Sequence, residues 1–257
     1  MNKGAPTKEF TRILGVPVSA INMDIALGTI AGWISRGESR YVFIRDVHGL
    51  MCAHEDPELN AFHFKAGMVT PDGMPLVKIS QWRGKKHVGR VCGADLMDAL
   101  CALSAQKGYA NYFFGGKQGV AEILAGNMRK KYPGLKIAGT GTPPFRTLTK
   151  PEDRAATARI VKSGAKIVWV GLSTPKQEWW MIEHVKRIPG ATLIGVGAAF
   201  DFHTGEVKRA PEWMQKSGLE WFYRLISEPR RLWRRYLVMA PKFAWLVMLE
   251  SLGRRSG

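Results

Sequence analysis

Apolar positions along this chain follow two alternating periods: short unbroken runs, and longer stretches at helical spacing. Ile13-Leu-Gly-Val-Pro-Val18 reads as a short strand or hairpin arm, with Gly15 and Pro17 keeping it at an edge. Met23 to Ser35 carries Ile25, Ile30, Trp33 and Ile34 at helical spacing, and Gly37 suits the residue just past a helix end. Tyr41 to Ile44 is the first core strand, and it gives way abruptly to the polar Arg45-Asp-Val-His48. Helix is expected through His54 and Asp56, and again from Glu58 to Lys65. Gly67 to Thr70 is a short strand, with Pro71-Asp-Gly-Met-Pro75 as a tight turn beyond it. Gly93 to Lys107 is an amphipathic helix on Leu96, Leu100 and Leu103. Tyr109 to Phe114 is a buried strand that runs through Gly115-Gly-Lys-Gln-Gly119 into a helix from Val120 to Tyr132. Lys136 to Ala138 is strand, Gly139 to Pro144 loop, Glu152 to Ser163 helix and Ile167 to Leu172 strand. Thr174-Pro-Lys-Gln177 opens another helix, and Leu193 to Val196 is the last core strand.

Strands alternating with helices through short glycine-bearing loops predict an α/β fold: a Rossmann-like, largely parallel sheet flanked by helices, with a C-terminal helical appendage. The pattern changes near Gly205. Beyond it basic residues crowd in (Lys208, Arg209, Lys216, Arg224, Arg230, Arg231, Arg234, Arg235, Lys242, Arg254, Arg255) against few glutamates. Residues 1–205 are therefore read as the α/β domain and 206–257 as the appendage. Pro229 suits a first helical position, with Leu232, Trp233, Tyr236 and Leu237 on one face and arginines on its flanks. Ala240-Pro241 is expected to break that helix, and Phe243, Leu246, Val247 and Leu249 to begin a second.

Charge sharpens the picture. A net charge of +17 on 257 residues favours an anionic partner: nucleic acid, an acidic membrane face or a phosphorylated substrate. Basic flanks with Trp and Tyr at the boundary fit a helix lying on anionic lipid, or alternatively one packed on the sheet domain or at a subunit interface. Three cysteines (Cys52, Cys92, Cys101) without zinc spacing read as reduced core residues. Met1 to Thr11 has no apolar core of a signal peptide, and no run approaches the ~18 residues a membrane span needs. A cytosolic protein that meets the membrane from its surface is expected.

In an open α/β sheet, ligands sit beyond the carboxyl ends of the strands. Gly115, Gly116 and Gly119 could bring backbone N–H groups to a phosphate or could simply make a tight turn. Thr174-Pro175-x-Gln177 has the makings of a helix start, with Gln177 at the capping-box position; alternatively Gln177 or Lys176 reaches a ligand. Asp201 follows small residues that leave room for it to accept from ribose or sugar hydroxyls, or it could instead cap a helix or turn. Asp72, between Pro71 and Gly73, is presented rigidly and is a candidate general base; alternatively it is simply part of the turn's own chemistry. The six histidines make no metal site, and no Asp-x-Asp pair is present.

Five segments together resemble the WecG/TagA/CpsF-type family of bacterial glycosyltransferases (glycosyltransferase family 26). They are Pro71-Asp-Gly-Met-Pro75, Phe114-Gly-Gly-Lys-Gln-Gly-Val-Ala-Glu122, Val170-Gly-Leu-Ser-Thr-Pro-Lys-Gln-Glu178, Gly195-Val-Gly-Ala-Ala-Phe-Asp201 and Arg209-Ala-Pro-Glu-Trp-Met-Gln215 through Arg235. The resemblance implies an inverting, metal-independent transfer from a UDP-sugar to a polyprenyl-diphosphate-linked saccharide at the cytoplasmic membrane face, with no cofactor. It implies Asp72 as base, Gln177 and Asp201 in the donor site, and Arg224, Arg231 and Arg234 on the diphosphate. Asp46, Thr70, Gly115, Gly116, Gly171 and Phe200 complete the expected donor and UDP set. Where many members have Thr-x-Asn after the first strand, this chain has Ile44-Arg45-Asp46. Expected partners are the UDP-sugar, the lipid-linked acceptor and anionic membrane, not nucleic acid, with a homo-oligomer left open. The competing classes are a basic nucleic-acid-binding module and a nucleotide-dependent oxidoreductase; the missing Gly-x-Gly-x-x-Gly argues against the latter.

Overall fold

The computed structural model describes residues 9–253, apart from the side chains of Glu212 and Lys216. Residues 1–8 of the N-terminal stretch, and Arg254 and Arg255 of the basic tail, lie outside the described residues.

The chain opens with a hairpin, β1 (Phe10–Ile13) and β2 (Val16–Ser19), then α1 (Met23–Ser35) and β3 (Arg40–Arg45). α2 (Val47–Glu55), α3 (Pro57–Lys65), β4 (Met68–Pro71), α4 (Met74–Trp82) and α5 (Gly93–Lys107) follow. Next come β5 (Ala110–Gly115), α6 (Val120–Lys131), β6 (Lys136–Gly141), α7 (Lys150–Lys162), β7 (Ile167–Gly171), α8 (Lys176–His184), β8 (Thr192–Gly195) and α9 (Ala199–Thr204). The tail holds α10 (Glu212–Ser217), α11 (Glu220–Ser227), α12 (Pro229–Trp233), a π-helical stretch Arg234–Met239 and α13 (Ala240–Gly253).

Strands β3 to β8 form one six-stranded sheet in the order β4-β3-β8-β7-β5-β6, every neighbouring pair parallel. Side chains alternate across it, as the pleat requires. Val42, Phe113, Trp169 and Ile194 face α1, α5, α6 and α9. Phe43, Phe114, Val168 and Leu193 face the side of α7 and α8. α2, which follows β3, and α9, which follows the adjacent β8, leave on opposite faces. That divergence opens a crevice at the carboxyl ends of β3 and β8.

Local chemistry explains most element ends. Asn22 caps α1 by accepting from the Ile25 N–H, and its buried stripe is Ala26, Ile30, Trp33 and Ile34. α7 begins at Lys150, two residues ahead of the expected Glu152, because Thr149 and Glu152 close a capping box. The expected tight turn at 71–75 is shorter than predicted. Gly73 is the N-cap and Pro75 falls in the first turn of α4, which the hydrophobic pattern did not reveal.

The tail departs further from expectation. Ala240-Pro241 does not break the helix: 229–253 runs on continuously, with helical backbone at both Trp233 and Ala240. A proline inside a helix lacks a donor and crowds the carbonyl four residues back. The wider π turn just ahead of Pro241 relieves that crowding. On the face expected from Leu232, Trp233, Tyr236 and Leu237, Leu232 is buried while Trp233 and Leu237 are 45% and 59% exposed. Phe243 and Val247 of α13 join the cluster of Leu50 and Met51 from α2. Glu250 takes an ion pair from Arg83 at 2.7 Å and accepts from the Leu14 N–H. The far end of the tail is thus tied to the body. Among the described residues no helix is long and apolar enough to cross a membrane. The three cysteines are free, with Cys92 and Cys101 buried.

Candidate active site

A cleft of about 1230 Å³ lies beyond the carboxyl ends of β3, β4, β7 and β8, between the sheet and the tail. Asp46, Asp72, Gly116, Gly171, Gln177, Phe200 and Asp201 contribute to one side, Arg224, Arg231, Arg234 and Arg235 to the other. Register explains the first grouping. Arg45 pairs with Pro71 across β3 and β4, so Asp46 and Asp72 emerge side by side.

Asp72 stands between the end of β4 and the cap of α4. Its N–H donates to the Arg45 carbonyl at 2.8 Å, which fixes its backbone to the neighbouring strand. Arg90 grips it twice: Nε donates to the Asp72 carbonyl at 2.7 Å, and Nη2 approaches Oδ1 at 3.3 Å. The same Nη2 donates to Glu220 of α11 at 2.7 Å. Desolvation in this recess raises the Asp72 pKa from its ordinary value, with Glu220 adding to the rise while Arg90 and Arg224 oppose it. A carboxylate so placed holds a proton more readily than a surface aspartate does, which is what a base must do.

Asp46 caps α2, accepting from the Gly49 N–H at 2.9 Å, and its other oxygen pairs with Arg235 of the tail. A neutral amide here could not make that ion pair, so the departure from Thr-x-Asn joins body to tail in this chain. Arg45 turns the other way. Fully buried, it donates from Nη1 to Glu178 at 2.8 Å and from Nε to His63 at 2.8 Å, and its guanidinium lies over Phe43. His63 accepts at Nε2, so it is the neutral tautomer donating from Nδ1 to the Leu59 carbonyl. Burial and Arg45 hold its pKa down to about 3.

Glu178 also receives Thr174 Oγ1 at 3.2 Å and Gln177 Nε2 at 3.0 Å. Here the expected capping box is absent. Thr174 precedes a cis peptide to Pro175, and Pro175 is the N-cap, without a side-chain cap bond. The hydroxyl and the amide are drawn inward to a buried carboxylate instead. Gln177 spends its oxygen on the Gly197 N–H at 3.0 Å, so both ends of its amide are engaged by the protein. What it sets is the turn after β8, where Gly197 to Asp201 enter the cleft.

Two expected donor contacts lie behind the cleft wall rather than in it. Thr70 is fully buried and donates to the Val91 carbonyl at 2.9 Å. Gly115 meets Gly171 across two paired strands, where a Cβ would come within 2.5 Å of the Gly171 carbonyl oxygen. The Gly116 N–H, expected to face a phosphate, donates to that same carbonyl at 2.9 Å. These glycines allow close backbone approach and leave space for Phe200, whose ring sits 3.1 Å from where a Gly171 Cβ would be. Asp201 is half-buried in α9 with its pKa raised, burial first and Glu206 second, against Lys117 and Arg231.

Three of the tail's cleft arginines, Arg224, Arg231 and Arg235, face this floor in ion pairs. Arg231 bonds Glu228 at 2.6 Å, and Arg224 reaches the same carboxylate at 3.8 Å while lying over Phe202. Arg234 rests against Trp233. Arg209 pairs with Asp95, which Cys92 also bonds. Arg90, Arg235, Arg209 and Glu220 also line the cleft, and no pattern in the sequence marks them as doing so. Arg90 stands in a loop with no periodicity, and in the tail nothing in the spacing distinguishes Arg235 from Arg230.

A six-stranded parallel sheet with its ligand cleft at the carboxyl edge defines a Rossmann-like α/β protein. Its residues 11–257 match the family model described as Glycosyl transferase WecG/TagA/CpsF family, and the chain belongs to that family. It is a glycosyltransferase of cell-surface polymer synthesis, taking a sugar-nucleotide donor and a glycan acceptor. The nucleic-acid-binding and oxidoreductase classes are set aside.

Proposed function

We propose that the enzyme transfers a hexosyl or N-acetylhexosaminyl group from a UDP-sugar to a polyprenyl-diphosphate-linked saccharide, with inversion and without a metal. Asp72 takes the proton from the acceptor hydroxyl as that oxygen attacks the anomeric carbon from the side opposite UDP. The C–O bond to UDP breaks and the diphosphate leaves with the electron pair. The observation that carries this reading is the placement of one strand-held carboxylate across a single cleft from Arg224, Arg231, Arg234 and Arg235. Fixed guanidinium groups aimed at a developing oxyanion do the work of a divalent ion, and they are already in position when charge appears. Arg224 and Arg231 exchange their hold on Glu228 for the diphosphate when substrate binds.

The acceptor's lipid places the reaction at the inner face of the cytoplasmic membrane. Support comes from the tail surface, where Trp221, Phe222, Ile226, Trp233, Leu237, Val238 and Trp245 are exposed among arginines. Such a band suits a surface-docked helix with its basic groups on anionic headgroups.

The test is turnover by metal-free protein, paired with Asp72→Asn. Wild type should keep full activity in EDTA, and Asp72→Asn should lose ~10²–10⁴-fold. Binding is read separately, since UDP-sugar should still raise the thermal midpoint of the variant. Activity that EDTA abolishes and Mn²⁺ restores defeats the metal-free half. A loss smaller than about tenfold removes Asp72 from the base role.

A further inference from the structure

The contacts of Arg90 are divided unequally. Its Nε is committed to the Asp72 main-chain carbonyl at 2.7 Å, so the guanidinium cannot drift from the loop that carries the base. Its Nη2 is shared between Glu220 Oε2 at 2.7 Å and Asp72 Oδ1 at 3.3 Å. The shorter contact goes to the tail residue. Glu220 is itself only 14% exposed and lines the same cleft, where its charge is weakly screened. The titratable and charged groups around Asp72 include Arg90 from the loop after α4, Cys92 just ahead of α5, Glu220 and Arg224 from α11, and Asp46 beside it at the end of β3, itself paired with Arg235 of the tail. Of these, Glu220 alone both touches Arg90 and comes from a part of the chain 148 positions from Asp72.

We propose that Glu220 is a positioning residue: it holds the Arg90 guanidinium back from a full ion pair with Asp72 and leaves that carboxylate free to accept the acceptor's proton. This rests on the reading of Asp72 as the base. An arginine that closes on a carboxylate with short, paired bonds stabilises its charged form by one to three pKa units, roughly, and so weakens it as a base. With α11 seated, Arg90 serves as a strut for the loop, and its charge is offset by a carboxylate that takes no part in the chemistry. With α11 displaced, or Glu220 neutralised, the same arginine closes on Asp72 and quenches it. The tail therefore reaches the proton-transfer step as well as the diphosphate.

The Asp72 titration is followed in full-length protein by carboxyl-carbon NMR on labelled aspartate, assigned with Asp72→Asn. Glu220→Gln, which keeps the shape and removes the charge, should lower the Asp72 midpoint by about half a pH unit or more. Turnover should fall about three- to tenfold, with KM for the donor unchanged and the acid limb of the pH profile moved to lower pH. Glu220→Asp should recover much of the loss. In an Arg90→Met background the effect of Glu220→Gln on the midpoint should shrink. An equal effect there means direct repulsion without the shared arginine, and overturns the proposal, as does a midpoint that stays or rises in Glu220→Gln. A lowered midpoint with undiminished turnover upholds the sharing of Arg90 and instead strikes Asp72 from the base role, so the two readings fail separately.

Discussion

The residue that most rewards attention at the smallest scale is Arg45, a charge with no exposure at all, answered by Glu178 and by neutral His63. Breaking such a pair by removing one partner costs about 3–5 kcal/mol, because the other is left charged in a dry site. His63 gives the network a pH signature. Its folded pKa of about 3 lies below the unfolded value near 6.5, so in the window between them the unfolded chain binds the extra proton. Stability from this group is complete above that window and falls by about 1.4 kcal/mol for each pH unit below 6.5. Replacing His63 with Gln keeps an acceptor for Arg45 and removes the titration. Urea midpoints measured at pH 7 and pH 5 should therefore diverge less in the variant than in wild type. An unchanged pH dependence would show that His63 is not held neutral. None of this was legible in the sequence, where Arg45-Asp46 read as one polar strand end. Residue identity marked the pair; only the strand's last half-turn decided that one side chain points into the core and the other into the cleft.

For the elements, periodicity located nearly every strand and helix of the body, with α1 and α5 matching their expected bounds. It failed where proline carries two meanings. Pro75 read as turn and begins a helix; Pro241 read as a break and lies within one. In both places neighbouring backbone geometry, the Gly73 cap and the π stretch before Pro241, absorbs the missing donor. The continuous helix matters because it connects the cleft arginines to an anchored end. Phe243 is 4% exposed in the cluster with Leu50 and Met51, and it should be the anchor's main apolar contact. Phe243→Ala is expected to cost about 3–5 kcal/mol of that local packing. Hydrogen exchange should quicken first in residues 229–253 while the parallel sheet stays protected. Uniform loss of protection across the sheet would mean that tail and body unfold as one unit.

Across the whole molecule, charge and shape act together. The +17 is distributed so that the cleft rim and the tail carry arginines beside exposed indole and aliphatic groups. Flotation with anionic vesicles should decline steeply with salt, as the ~8 Å screening length of physiological buffer shortens. Leu237→Glu together with Val238→Glu removes two exposed apolar contacts, each worth about 1.5–3 kcal/mol when buried in lipid, and should weaken binding at least tenfold, roughly. Equal flotation by that variant would show that this stretch of the tail is not a lipid-docking face.

By itself the amino-acid order determined the alternation of strand and helix, the parallel sheet, the basic tail and the identity of the carboxylate beyond β4. These are properties of local spacing and composition, and they survive without knowledge of what packs against what. The tertiary structure alone decided that Gly115 and the Gly116 N–H meet Gly171 on the neighbouring strand, that Thr70 turns inward, and that Gln177 braces the β8 turn. It alone brought Arg90, Arg235 and Glu220 to the cleft. Which partner a polar group takes depends on the desolvation and distance imposed by segments far away in the chain, and no spacing rule along one segment contains that information.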